Sequence, residues 1–529
     1  MTRPLYLRPR IVGPLEDLLR DGPLLHDLVR ALGSPLNLVI PDRLPHNLEH
    51  FREVYRRRRL SGEIFFAHKA NRSAAFPRLL AAGTGAGAAR IDVASLAELQ
   101  TALGSGFEPA RILVTGPKTP ELLWLAARCG TTVQVDGIAE LLGLVDVVRR
   151  HGFPRSRVLL RLSGFASTGT TVMSRPSRFG LAAEEADAAI DVFLTHPDTV
   201  DLLGVGFHLD TVGVREKAVA LESCLHVVAT CLGRGLSPRV VDIGGGFGVS
   251  YLAHADDWHA WTSELTQAVL GRRPPMTWDG HGYGLRDDGG TLRGTLGLYP
   301  AHRPVSGPAY LDAILSAPAP SFDGQPLATV LRELLLHLWI EPGRALLDQC
   351  GAVLARVLEV RPRPGGHHVV RLDLNAGDVS LEEHGVLLDP LLLRRPDADR
   401  AGHPDRAGHP DRHGRATPPD GPQGVYLLGN LCLEADLITR RLVYLPGLPE
   451  TGDLLAFPNT AGYVMDFHAD HAIGQPIART VAAWPGDGRW HWCLDEQYWP
   501  LGLPTGEAVA GEAVAGDRAA DTLAEGTRA

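Results

Sequence analysis

The chain has 529 residues, 44% of them hydrophobic, and a formal net charge of −9. It can bury large cores in two or three domains, and its acidic balance argues against a nucleic-acid or anionic-membrane partner. No apolar run reaches the roughly 18 residues that a bilayer span needs. The N-terminal "MTRPLYLRPR" lacks the apolar core of a signal peptide, so a cytoplasmic protein is expected.

In chain order, the strand-like "SPLNLVI" comes first, within residues 1–44, and "RRRR" at 56–59 reads as a solvated helix face. Between residues 60 and 345 eight short β-like runs follow: "IFFAHK", "ARIDVA", "RILVTG", "TTVQVD", "RVLLRLS", "LLGVGFHL", "RVVDIGGG" and "LWIEPG". The first five begin roughly 20 to 26 residues apart, the period of one βα unit. Helical patterns such as "SLAELQTALGSG" fall between them, so a (β/α)8 barrel over 45–348 is predicted, with its chemistry at the C-terminal strand ends. The Gly- and Arg-rich stretch at 270–305 reads as an inserted excursion. Beyond it, strands without long helices predict a separate β-rich, sandwich-like domain over 349–504, which the N-terminal segment joins. The low-complexity loop at 391–424, with its tandem "AGHPDR", and the tail at 505–529 lack the large apolar residues needed to pack, and read as disordered.

Only three of the 52 cationic residues are lysines: Lys69, Lys118 and Lys217. Lys69 closes the apolar run "IFFAHK". A guanidinium stays protonated, whereas a desolvated ammonium loses its proton readily and can attack a carbonyl, so Lys69 is the candidate nucleophile. "DIGGGFG" at 242–248 follows an apolar strand and can curl its N–H groups around an anion, although a bare glycine turn is equally a structural device. A dinucleotide fingerprint fails there because Val249 stands where glycine is required. Glu341 and Arg344 of "EPGR" sit at the predicted rim, where they fit either a solvated salt bridge or a pair holding a ring nitrogen and a phosphate. His208 ends another strand; alone, such a histidine is usually a satisfied core residue. The six cysteines lack C-x-x-C spacing and fit neither a disulfide framework nor zinc, and "HADH" at 468–471 has no second cluster, so no metal is expected.

Seven motifs in order, "HKAN", "SRFG", "GVGFH", "DIGGGFG", "EPGR", "GNLCLEAD" and "NTAGY", resemble the pyridoxal-phosphate-dependent ornithine/diaminopimelate/arginine decarboxylases of the alanine-racemase-like fold. The resemblance spans roughly residues 30 to 500 apart from the insertions. It implies a pyridoxal 5'-phosphate cofactor on a Schiff-base Lys69, decarboxylation of an α-amino acid, and a homodimer with shared active sites. It further implies that His208 stacks on the pyridine ring, and that Thr211, Gly244, Gly245, Gly246, Arg344 and Tyr463 hold the phosphate. Glu341 would hold the ring nitrogen protonated, and Cys432, reaching over from the other subunit, would protonate the carbanion. Glu434 and Asp436 would face the substrate, and Asp389 in "GVLLDP" matches an acidic substrate-binding position, though a turn role before Pro390 is as good a reading.

Three departures stand out. Arg178 replaces the usual lysine of the "SKFG" element, Leu433 separates Cys432 from Glu434, and the Arg-Pro-x-Leu-Tyr element is missing after "LDLNAGDVS". Two alternatives remain: an amino-acid racemase on the same fold, against which "EPGR" argues, and a catalytically silent relative that acts as a binding protein.

Overall fold

The computed structural model describes residues 3–84, 88–165, 178–182, 185–210, 213–363, 365–396, 421–468 and 473–500. Thr211, Ala469–His471 of "HADH", most of the low-complexity loop and the C-terminal tail lie outside them. Eight parallel strands form one closed sheet: Gly62–Ala67, Arg90–Val93, Ile112–Val114, Thr132–Val135, Ser156–Ser163, Val200–Gly206, Val240–Asp242 and His337–Ile340. Each pairs with the next, and the last pairs with the first through Leu338 and Gly62. This is the predicted (β/α)8 barrel, with a strand at each of the eight apolar runs.

Strand alternation explains why these runs close a barrel. Phe65, Leu113, Leu159, Leu203, Val240 and Trp339 form one buried cluster, while Ile64 and Phe66, their neighbours in sequence, belong to the larger cluster that includes the surrounding helices. Successive side chains point to opposite faces, so each strand seals both the lumen and the helix layer. The helices are capped as the sequence suggests: Ser95 and Thr119 accept the N–H groups of Glu98 and Leu122, and Gly130 and Gly152 end their helices in the left-handed conformation.

A second, nine-stranded sheet forms the β-rich domain. Its centre is Gly351–Arg363, which pairs antiparallel with His367–Leu372, with Leu454–Pro458 and with the N-terminal strand Leu36–Val39. Leu36–Val39 also pairs in parallel with Arg479–Gly486, so residues distant in sequence are stitched into one sheet.

The stretch at 270–305 is not a bare excursion. It forms a hairpin, Leu285–Asp288 with Thr291–Gly294, and returns buried Met276, Tyr283, Leu298, Ala301 and Arg303 to the body of the protein. Apolar residues interspersed among its glycines and arginines explain the packing.

Candidate active site

The C-terminal ends of the barrel strands bring the candidate residues together. The first strand ends in the short 3-10 turn His68–Ala70, which turns Lys69 over the rim with its side chain 37% exposed. Its Nζ lies 3.0 Å from Oδ2 of Asp92, near the end of the second strand, and the Thr115 hydroxyl donates to the other oxygen of Asp92. Of the other lysines, Lys118 bonds Gly116 O and Glu140, and Lys217 bonds the carbonyls of Ile243 and Gly245. Lys118 also lies past a strand's C-terminal end, but its side chain is fully buried against Asp136 and Glu140, so Lys69 is the lysine partly exposed at the rim.

The protonation of Lys69 corrects one expectation. Burial alone would lower the Lys69 pKa, but Asp92, Tyr463 and Glu341 outweigh it and raise the ammonium above its ordinary range. In this state the nitrogen keeps its proton. Asp92 is the residue sequence reasoning missed; its only signal was a lone carboxylate inside the apolar run "ARIDVA".

Asp92, Asp242 and Glu341 form a trio of buried carboxyls. Burial pushes Asp92 up to about 6 despite Lys69, and burial with the neighbouring Glu341 charge raises Asp242 well above the carboxylate range. Glu341 goes the other way. Burial opposes its ionisation, yet His208, Lys69 and Arg161 hold its carboxyl down at about 2. The negative charge therefore rests on Glu341, whose Oε2 lies 3.7 Å from His208 Nδ1 and which shares a hydrogen bond with the Asp242 carboxyl.

The glycine loop 244–246 threads between these groups. Asp242 Oδ1 accepts the Gly244 N–H at 2.8 Å, Gly245 donates to His208 Nδ1 at 3.2 Å, and Glu341 N donates to Gly244 O at 3.0 Å. Gly244 and Gly246 have φ of 62 and 78, and a Cβ on either would strike the carbonyl of Phe207 or Leu209. Only glycine fits a backbone packed this closely. Arg344 donates to the Tyr251 hydroxyl and lies 5.2 Å from the Tyr463 ring, while Tyr463 N bonds Ala70 O beside Lys69 at 2.7 Å.

The remaining candidates lie elsewhere. Cys432, Leu433 and Glu434 are exposed on a turn of the β-rich domain. Asp436 beneath them is buried, accepting the N–H groups of Ala376 and Leu431 at 2.8 Å each, so within this chain it shapes the Cys432 turn. Asp389 is corrected from a substrate contact to a structural ion pair. It is buried, bonds Arg441 Nη1 at 2.7 Å, and accepts the Leu7 N–H at 2.7 Å. The compensating cation stands 52 residues away, where no local motif reveals it. Arg178 stacks on Phe179 at 5.8 Å.

Fold and site together define a (β/α)8-barrel protein with a β-rich second domain and a cluster of lysine, carboxylates and glycine loop at the barrel's C-terminal rim. Comparisons narrow the class. The family of pyridoxal-dependent decarboxylases, through its pyridoxal binding domain, matches residues 43–274. An uncharacterized protein, y4yA, of Sinorhizobium fredii is 31% identical over 495 residues, covering 91% of this chain and 95% of that one. The diaminopimelate decarboxylase of Methanothermobacter thermautotrophicus is 28% identical over 258 residues, 45% of this chain and 56% of its own. The structure of diaminopimelate decarboxylase from Helicobacter pylori complexed with L-lysine has a TM-score of 0.62 at 17% identity, over 89% of this chain and 95% of that one. The chain belongs to the pyridoxal-dependent ornithine/diaminopimelate/arginine decarboxylase family, as a divergent member.

Proposed function

We propose that the protein is a pyridoxal-phosphate-dependent decarboxylase of an α-amino acid, acting through Lys69. The observation that carries this reading is Glu341: a buried carboxylate held ionised by His208 and Lys69, on the same rim as the lysine and the glycine loop. A buried carboxylate that keeps its charge beside an Asp242 whose ionisation is suppressed suits a protonated ring nitrogen, and a glycine loop flanked by Arg344 and Arg303 suits a phosphate.

When bound, pyridoxal phosphate supplies an aldehyde that captures an amine and a ring that accepts the electron pair left by departing carbon dioxide. Lys69 would hold it covalently through Nζ, and Asp92, paired with that ammonium, would set how readily the nitrogen gives up its proton. Gly244, Gly245, Gly246, Arg344, Tyr463 and Thr211 would bind the phosphate, and His208 would cover the ring face. Glu341 would keep the proton on the ring nitrogen, and its low pKa suits an acceptor that must stay charged. Cys432 Sγ would deliver the final proton to the substrate α-carbon.

Cys432 is exposed and Leu433 is 56% exposed, which supports a homodimer in which this turn completes the partner's site. Glu434 on the same turn would then face the substrate. All six thiols are unpaired, in keeping with a reducing cytoplasm, and no helix among the described residues is long and apolar enough to cross a membrane. Borohydride reduction of the protein with pyridoxal phosphate, followed by peptide mapping, should label Lys69. Label on Lys118 or Lys217 would refute the assignment. A panel of amino acids assayed for carbon dioxide release then identifies the substrate.

A further inference from the structure

Arg303 reaches the glycine loop from the inserted segment between the seventh and eighth barrel strands. It is 6% exposed, yet its buried Nε and Nη2 have no hydrogen-bond partner. The guanidinium carbon lies 5.5 Å from the Tyr299 ring centroid and 5.7 Å from that of Tyr310. Nη1 donates to the Tyr299 hydroxyl at 3.1 Å and fills the space that a side chain on Gly248 would need. A packed, immobilised guanidinium with two idle donors is costly unless an anion completes it.

Its surroundings point the same way. The Tyr299 ring that packs on Arg303 also packs on Arg344, at 5.2 Å, and the Tyr299 hydroxyl accepts the Val249 N–H at 3.0 Å. Tyr310 donates to Gly213 O at 2.7 Å, which ties this corner to the loop after His208. Lys217 lies beneath the glycine loop, bonded to its carbonyls, and burial pushes its ammonium down to about 8. Among the described residues no carboxylate is within ion-pair range of Lys217, Arg303 or Arg344; Asp210, Glu341 and Asp242 act on Lys217 only from farther away. Arg303 against Gly248, Lys217 beneath Gly245 and Arg344 joined to Arg303 through the shared Tyr299 ring match a doubly charged phosphate better than a single guanidinium does.

We propose that Arg303 is a second phosphate-binding guanidinium, supplied by the inserted segment and acting with Arg344 and the glycine loop on the phosphate of a pyridoxal cofactor. The inference rests on the proposed cofactor, and it assigns the insertion a purpose: to close the phosphate end of the site.

The test compares dissociation constants for pyridoxal phosphate and for pyridoxal, which lacks the phosphate, in the wild type, Arg303→Gln, Arg303→Met and Arg286→Gln. Arg286 lies on the exposed hairpin of the same insertion and serves as control. Methionine keeps the packing between the two tyrosines should glutamine impair folding. Either Arg303 variant should weaken pyridoxal phosphate about tenfold or more while leaving pyridoxal unchanged, and Arg286→Gln should change neither. A folded Arg303 variant with the wild-type ratio of the two constants overturns the proposal. Titration of the cofactor-free protein with inorganic phosphate separates the two readings. Phosphate binding that Arg303→Gln loses, in a wild type that captures no pyridoxal phosphate, upholds the anion site and rejects the cofactor; a wild type that binds neither ligand rejects both.

Discussion

Lys69 and Asp92 form an ion pair at 3.0 Å across the ends of neighbouring barrel strands, and that pair sets the charge of the reactive nitrogen. A nitrogen held as ammonium has no lone pair to offer an aldehyde, so capture of a carbonyl must wait for loss of the proton that Asp92 holds in place.

Asp92→Asn is therefore expected to ease capture. Asp92 raises the Lys69 pKa, so removing its charge must lower it, and the free-amine fraction at any pH below that value must rise. The rate of pyridoxal capture, trapped by cyanoborohydride and followed from pH 6 to 10, should shift to lower pH and rise about tenfold near pH 8. A profile identical to that of the wild type would show that Asp92 does not govern the nitrogen.

Glu341→Gln tests the ring-nitrogen role. Glutamine keeps the volume and a carbonyl oxygen but not the charge that holds a proton opposite it. Pyridoxal phosphate should still bind, while carbon dioxide release in a single turnover slows about 100-fold or more. An unchanged single-turnover rate would remove Glu341 from the chemistry.

Asp389→Ala should cost stability rather than substrate affinity. Arg441 is 1% exposed and bonded to Asp389 and to Leu388 O, so the variant leaves a buried guanidinium without its nearest carboxylate. Loss of about 3–5 kcal/mol is expected in denaturant melts, with KM unchanged at a temperature where the protein stays folded. A raised KM with normal stability would restore the substrate reading.

The contrast between Lys69 and Asp389 shows what was legible before the structure. Strand runs such as "IFFAHK" and "RVVDIGGG" announce themselves because both barrel faces must be apolar and the rim must turn sharply, and these are local demands on sequence. Asp389 and Arg303 were opaque for the opposite reason. The meaning of each depends on a partner that folding brings from far along the chain: Arg441 for the first, Gly248 for the second. Asp92 lay between these cases. Its carboxylate was visible in an apolar run, but its distance from Lys69 was not.

The shared-site proposal predicts complementation. Lys69, Glu341 and the glycine loop lie on the barrel, whereas Cys432 is exposed on a turn of the β-rich domain, held in shape by Asp436. If that turn completes a neighbour's site, Lys69→Ala and Cys432→Ala chains are each inactive alone, yet a mixture that exchanges subunits forms heterodimers with one intact site and one doubly damaged site. Random reassortment makes half of the dimers mixed, and each has one of two sites, so activity should return to about a quarter of the wild-type value per chain. A thiol that only packs within its own chain gives no such recovery, because every site would still lack one residue. Exchange confirmed by differential tagging, together with no carbon dioxide release above that of the parent variants, would place the Cys432 function within a single chain.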